Sequence, residues 1–210
     1  MKRVFLLVGG VVLAATVARW QLVRWFTPEP SYAVERREGA VELRRYASVV
    51  RAETVVSASS ANAAVNQGFR RLAGYIFGGN RARARIAMTT PVTQSSERIA
   101  MTTPVTQEAL GAGQWRVTFT LPAGRTLADL PAPDDPTVVL RELPPRRVAV
   151  LRYTGPSGPA RVADRARALA DTLARMGITP AGAPESARFD PPWTFAWIRR
   201  NEVWIPLDAG

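Results

Sequence analysis

Two amphipathic helical segments, each set between segments of strand periodicity, constrain the fold of this 210-residue chain more than any other feature. In the first, apolar residues recur at helical spacing from Ala61 to Ile76. In the second, the same spacing runs from Val162 to Met176. A helix with one apolar stripe has to bury that stripe against another element. We therefore expect each helix to pack on a sheet.

The strand-like segments precede and follow both helices. Their apolar residues alternate with polar ones, and proline and glycine separate them. They begin at Tyr32 and include residues 41–56, 114–121, 136–143, 146–154, 187–190 and 202–205. The order of elements predicts an α+β protein. Two similar halves would share a twisted, mostly antiparallel sheet with one flanking helix per half.

The composition excludes many kinds of enzyme. The chain contains no histidine and no cysteine, so a Ser-His-Asp triad, a thiolate nucleophile and the usual zinc sites are ruled out. We also find no phosphate-binding glycine loop, no GxSxG motif and no paired-carboxylate motif. The sequence therefore predicts a binding protein rather than an enzyme.

The net charge of +11 comes almost entirely from arginine, since Lys2 is the single lysine. These arginines are scattered among acidic residues, as in Glu35-Arg36-Arg37-Glu38, whereas a nucleic-acid surface needs a clustered basic patch. We expect no nucleic-acid partner.

The N-terminal segment resembles a membrane or export signal. Residues 4–18 are apolar and uncharged, and they follow Lys2 and Arg3. We interpret residues 1–26 as an uncleaved membrane anchor, with a cleaved signal peptide or a buried helix as alternatives. Residues 27–31 contain two prolines and form the linker, which leaves 32–210 as the folded domain. The protein is then membrane-anchored or exported, with the periplasmic face favoured.

The decapeptide RIAMTTPVTQ occurs twice, at residues 85–94 and 98–107. The intervening Ser95-Ser96-Glu97 suits a turn, so the copies are predicted to pair as a hairpin, with their prolines at bulges, ends or edges. Met88 and Met101 either fill the core or line a ligand site.

Several motifs in this order resemble the SOUL/haem-binding protein family. They cover most of the chain from about residue 32 to 206, and the doubled motif resembles bacterial members. The matching residues are Gly68-Phe69, Leu72, Tyr75-Ile76, Gly78-Gly79-Asn80, both Met-Thr-Thr-Pro-Val copies, Leu130-Pro131, Pro133, Tyr153-Thr154-Gly155 and Arg199-Arg200-Asn201-Glu202-Val203-Trp204.

The resemblance implies a barrel-like sheet with a pseudo-twofold repeat and two flanking helices. It also implies non-covalent binding of haem or another tetrapyrrole in an apolar groove between the first helix, 60–77, and a late loop, 190–200. Aromatic side chains would stack on the macrocycle and arginines would pair with its propionates. The candidate binding residues are Val65, Phe69, Arg70, Arg71, Leu72, Ile76, Met88, Met101, Trp193, Phe195, Trp197 and Arg199.

The absence of histidine is a departure from the axial ligand discussed for some members of the family. Met88, Met101, Tyr75 or Tyr153 could in principle bind iron. We favour binding through apolar contacts and propionate pairing, which would accept metal-free porphyrin as well as haem. Two other functions remain open: a small-molecule effector or interaction domain, and an enzyme that uses the reactivity of haem itself.

Overall fold

The computed structural model describes residues 28–81, 98–190 and 194–208, and over these ranges the protein is an α+β fold. Two α-helices span Ala61–Ile76 (α1) and Pro159–Arg175 (α2). The strands are Tyr32–Glu38 (β1), Val41–Tyr46 (β2), Val49–Ser57 (β3), Asn80–Arg81 (β4), Val105–Gly111 (β5), Gln114–Thr120 (β6), Ala132–Pro133 (β7), Val138–Leu143 (β8), Arg146–Thr154 (β9), Glu185–Arg188 (β10) and Arg200–Leu207 (β11). A 3₁₀ turn covers Ala196–Ile198.

Nine strands form one sheet in the order β1-β2-β9-β11-β10-β5-β6-β3-β8. Every pair within it is antiparallel. The pair β10·β5 joins two halves of similar construction, because β3 leads into α1 in one half and β9 leads into α2 in the other. The predicted pseudo-twofold arrangement with one helix per half is confirmed.

Each helix begins and ends where the sequence predicts. The Ser60 side chain accepts a hydrogen bond from the Ala63 amide and so satisfies one of the free amides at the start of α1. Helix α2 starts after Gly158 with proline in its first turn, where a missing amide proton costs nothing. It ends before Gly177, whose φ of 71° is the left-handed conformation that terminates helices.

Both helices pack on the same face of the sheet, over separate apolar cores. The core under α1 includes Leu72, Val117 and Phe119. The core under α2 includes Leu169, Leu173 and Val203. We call this face of the sheet the helix side.

The other face, which we call the inner face, is defined by the register of the strands. Glu202 on β11 lies beside Ala187 on β10, which lies beside Thr106 on β5. The sheet curls around this face into a half-barrel. Its curvature brings Arg51 of β3 and Arg146 of β9 to the same carboxylate, Glu185 of β10, although four strands separate β9 from β3 in the sheet order.

A fully buried carboxylate, Glu202, organises the inner face of the second half. It accepts hydrogen bonds from Arg44 Nη1 at 3.0 Å, Arg200 Nη2 at 2.8 Å and the Trp204 indole at 2.7 Å. A buried charge is tolerated when its partners satisfy it in this way, and removing one partner is costly.

The second copy of the repeated decapeptide forms a strand only at its end. Residues 98–104 lie outside the strands, and β5 begins at Val105, directly after Pro104. Strand β5 has β6 on one side and β10 on the other, so the predicted hairpin between the two copies is wrong for residues 105–107. Residues 98–104 instead extend along the α1 core, where Ile99 is buried. The first copy lies outside the described residues.

The predicted anchor, residues 1–26, and the first residue of the linker, Thr27, also lie outside the described residues. Among the residues that are described, no helix is both long enough and apolar enough to span a bilayer.

Gly68 sets the distance between α1 and the sheet. A Cβ atom at this position would lie 2.5 Å from the Val117 Cβ, so Gly68→Ala forces α1 away from β6. We expect it to lower the free energy of unfolding by about 1–3 kcal/mol. Gly74 on the same helix has open space around it, so Gly74→Ala is the matched control and should stabilise the protein by about 1 kcal/mol or less. Chemical denaturation measures both. Equal effects of the two substitutions would contradict the close approach.

Candidate functional site

The strand that leads into the late loop, β10, contacts the N-terminal end of the first helix. The Arg188 guanidinium, at the end of β10, donates a hydrogen bond to Asn62 Oδ1 at 3.0 Å. The Gln107 side-chain amide donates to the carbonyl of Ala61 at 2.8 Å. These contacts attach the N-terminal end of α1 to β10, which leads into the late loop, and to the neighbouring strand β5.

The late loop is closed at its base and open at its tip. The Phe189 amide donates to the Arg200 carbonyl at 3.3 Å, and the Gly155 amide donates to the Arg199 carbonyl at 3.0 Å. At the tip, the rings of Phe195 and Trp197 stack with centroids 4.8 Å apart and planes within 6°. The side chains of Phe195 and Trp197 are 45% and 69% exposed, which is unusual for large apolar groups.

The apolar candidate residues on α1 all face the sheet, and they differ in how deeply they are buried. Val65 is buried near the start of the helix, and Phe69 packs edge-on against Phe119 with centroids 5.3 Å apart. Leu72 and Ile76 are fully buried in the α1 core. They can support a groove from beneath, but their side chains are enclosed by protein.

The three candidate arginines differ in their exposure and in their hydrogen-bond partners. Arg70 is exposed on α1. Arg71 points to β3, where it donates to the carbonyl of Val55 at 3.2 Å and to Thr54 Oγ1 at 3.4 Å. Arg199 donates from Nε to the Thr194 carbonyl at 2.8 Å and so braces the late loop. Of the three, Arg71 lies on the side of α1 away from the late loop.

The methionine and tyrosine side chains considered as iron ligands are placed mainly in the cores. Met101 packs on the α1 core, and the Tyr75 hydroxyl donates to the Pro131 carbonyl at 3.1 Å. Tyr153 is buried under α2. Met88 and Trp193 lie outside the described residues. Within the described ranges, no group of three acidic side chains could hold a metal ion.

A strip of buried and half-buried polar groups lies between the two helices, and of its members the sequence singled out Tyr153 but not Ser186 or Arg188. Ser186 and Arg188 of β10 lie on the helix side, and Arg188 is in register with Asn201 and through it with Tyr153. Among the described residues, Ser186 Oγ, Arg188 Nε and the Tyr153 hydroxyl have no hydrogen-bond partner. Such groups normally find one, so these atoms are candidates to bond a polar group of a ligand.

The electrostatics of this strip favour an anion. Burial lowers the pKa of the Arg188 guanidinium, and the nearby charge of Arg199 lowers it further. Burial also raises the pKa of the Tyr153 hydroxyl, so this group remains a neutral donor at neutral pH. A cation and a hydroxyl donor on one strip are suited to a carboxylate. Because Ser186 and Arg188 are two residues apart on a strand, the sequence predicts that they lie on the same face of the sheet. It does not predict that they lie between the two helices.

The helix wall and the loop wall of the predicted groove should differ in how much they contribute to the free energy of unfolding. Phe69→Ala removes a ring packed in the core and should cost about 3–5 kcal/mol of unfolding free energy. Trp197→Ala removes an exposed ring and should cost about 0.5 kcal/mol or less. Thermal and chemical denaturation of the two variants test this. A large loss in the Trp197 variant would make the late loop part of the core rather than part of an open site.

Comparisons with known proteins agree with this architecture. A solved structure of the C-terminal domain of EcmrR superposes with a TM-score of 0.55 at 9% identity, covering 85% of this chain and 99% of that one. A hydrolase from Listeria innocua superposes with a TM-score of 0.52 at 9% identity, covering 83% and 94%. These likenesses concern the fold alone.

Sequence relatives are more specific. Heme-binding protein 2 of Mus musculus is 24% identical over 197 residues, which cover 93% of this chain and 90% of the mouse protein. A family model described as SOUL heme-binding protein matches residues 27–206. With the predicted motifs, helices and strand order in place along that range, the chain belongs to the SOUL heme-binding protein family.

Proposed function

We propose that the protein binds haem or a related tetrapyrrole, without covalent attachment, in a groove between the N-terminal half of α1 and the late loop. The observation that carries this proposal is the buried polar strip of Ser186, Arg188 and Tyr153 beside the exposed aromatic pair of Phe195 and Trp197. Membership of a heme-binding family and a heme-binding mouse relative support the class of ligand.

The apolar part of the site consists of Val65 and Phe69 on the helix and Phe195 and Trp197 on the loop. Flat rings held on a short 3₁₀ turn lose little conformational freedom when they stack on a macrocycle. Leu72, Ile76 and Met101 support this wall from the core rather than contact the ligand.

The polar part of the site would receive the propionates. Arg188 lies at the floor, Arg199 braces the loop, and Arg70 is exposed on the helix. A planar guanidinium binds a carboxylate through two parallel hydrogen bonds, which fixes orientation as well as adding affinity. Arg71 is held by β3 and would contribute only if it left those hydrogen bonds.

The chain has no histidine, and the Tyr75 hydroxyl is already bonded in the core. We therefore infer that affinity comes from the macrocycle and its propionates, and that the function is binding rather than catalysis. Haem would bring its iron and its redox chemistry to such a site. What the protein residues supply is stacking, charge pairing and exclusion of water.

Titration of the purified full chain with haem, followed by the haem absorbance and by tryptophan quenching, tests the aromatic wall. The double variant Phe195→Ala/Trp197→Ala should bind about tenfold more weakly or worse, because two stacking rings are lost. Phe77→Ala is the matched control, since Phe77 is 60% exposed but follows the far end of α1. Equal affinity in the double variant and the control would contradict the proposed groove.

A comparison of haem with haem dimethyl ester tests the polar strip. The ester lacks the free carboxylates, so the native protein should bind it at least about tenfold more weakly than haem. This is the loss in affinity expected when a charge-assisted hydrogen bond is removed. Arg188→Gln should weaken haem binding and leave ester binding nearly unchanged. If Arg188→Gln affects both ligands equally, Arg188 does not receive a propionate.

We also retain the proposal that residues 1–26 direct the protein to the membrane or out of the cytoplasm. Fractionation of cells expressing the full chain and a variant without residues 2–26 tests it.

A further inference from the structure

The inner face of the sheet contains a polar cleft, on the opposite side of the sheet from the proposed tetrapyrrole groove. The cleft has a volume of about 230 Å³ and is lined by side chains of β3, β5, β6, β8, β9 and β10. Pockets for drug-sized ligands measure about 300–1,000 Å³. The cleft is therefore suited to a ligand much smaller than a porphyrin.

The cleft carries one excess positive charge. Its charged lining is Arg51, Arg116, Arg141 and Arg146 together with Glu53, Glu108 and Glu185, which gives 4 − 3 = +1. Arg116 donates to Glu108 at 2.6 Å, and Arg146 donates to Glu185 at 3.0 Å. Arg141 lies 3.5 Å from Glu53 and is 63% exposed, so water also solvates it.

The remaining cation, Arg51, is buried and poorly satisfied. The residue is 6% exposed, and its Nε has no hydrogen-bond partner among the described residues. Its Nη2 lies 3.6 Å from Glu185 Oε2, beyond the usual hydrogen-bond distance of about 2.7–3.2 Å. An unsatisfied buried donor of this kind costs stability unless a ligand or water completes it.

Glu185 is the complementary case. Its Oε2 is buried and has no hydrogen-bond partner within the described part of the chain. Burial raises the pKa of this carboxyl, but the charges of Arg51 and Arg146 and the hydrogen bond from Arg146 outweigh burial, so the pKa is below its usual value. An ionised carboxylate only accepts hydrogen bonds. Among the described residues, Arg51 Nε therefore lacks an acceptor, and Glu185 Oε2 has the Arg51 guanidinium at ion-pair distance but no hydrogen-bond donor.

We propose that this cleft is a second ligand site, which binds a small hydroxycarboxylate with its carboxylate on Arg51 Nε and its hydroxyl donating to Glu185 Oε2. The anion neutralises the excess charge, whereas an amino acid brings no net charge and a cation would add to the excess. Leu143 provides the apolar wall for the carbon skeleton.

The test uses the full chain labelled with ¹⁵N-arginine, because the Nε–H resonance of Arg51 reports directly on the proposed contact. Its assignment comes from its loss in Arg51→Lys. Glycolate and L-lactate should shift this resonance saturably, and glycine and L-alanine should bind about tenfold or more weakly. No saturable shift with either hydroxy acid up to about 50 mM, where even a millimolar site is filled, would overturn the proposal.

Two substitutions on one strand locate the site without disturbing its charges. Leu143→Phe fills the cleft and should weaken binding about tenfold or more. Val139→Phe is the control, since Val139 lies on the same strand, is 48% exposed and does not line the cleft. Equal affinity in both variants would place the binding elsewhere and overturn the proposal.

The binding of a hydroxycarboxylate in the cleft can be tested independently of the binding of a tetrapyrrole in the groove. Haem should leave the Arg51 resonance and the affinity for glycolate unchanged, because the two sites lie on opposite faces of the sheet. Competition between haem and glycolate would overturn the separate site. Failure of haem to bind would leave the hydroxycarboxylate result intact.

Discussion

The sheet has two faces, and the two helices cover only one of them. Nine antiparallel strands leave a large inner face that must be protected by the sheet itself, so the sheet curls into a half-barrel. On this inner face the fully buried Glu202 is held by Arg44, Arg200 and Trp204, beside an apolar cluster that includes Val150 and Phe189. The curvature and the buried charges thus have one origin, the unequal covering of the two faces.

The same inequality separates two environments for ligands. On the helix side, Tyr153 is buried and Arg188 is half-buried, each has an atom without a hydrogen-bond partner among the described residues, and Phe195 and Trp197 on the late loop are exposed. On the inner face, the curl brings Arg51 of one half to Glu185 of the other. The first environment is the one we propose for a large flat ligand, and the second, a cleft of about 230 Å³, is the one we propose for a small anion.

Much of the fold follows from the sequence, because the spacing of apolar residues is a local property. The stripe from Ala61 to Ile76 gives α1 nearly to the residue, and the alternation at 146–154 gives β9. The predicted hairpin between the two decapeptide copies is wrong for residues 105–107, because β6 lies on one edge of β5 and β10, far along the chain, lies on the other. The local pattern of apolar residues does not show which distant strand pairs with a given strand edge.

The candidate sites show the same limit. The exposed rings of Phe195 and Trp197 are expected from an aromatic, proline-rich loop, and their exposure agrees with that pattern. Arg188 and Arg51 look like any other arginines in an arginine-rich chain. Their importance arises from burial without full hydrogen bonding, which depends on strands from both halves of the sheet. The sequence also suggested Leu72 and Ile76 as lining, because helical periodicity cannot separate a core stripe from a groove stripe.

We propose that the protein recognises a tetrapyrrole by its ring and its propionates, and that no protein side chain coordinates the metal. The most direct measurement is a side-by-side titration of the full chain with haem and with metal-free protoporphyrin, which share ring and propionates and differ in the iron. We expect saturable binding of both ligands, with affinities within about tenfold of each other. An axial bond from the protein to the iron would add more than about 1.4 kcal/mol to the binding free energy of haem alone. Tight binding of haem with no measurable binding of protoporphyrin would contradict it and would point to a methionine or tyrosine ligand.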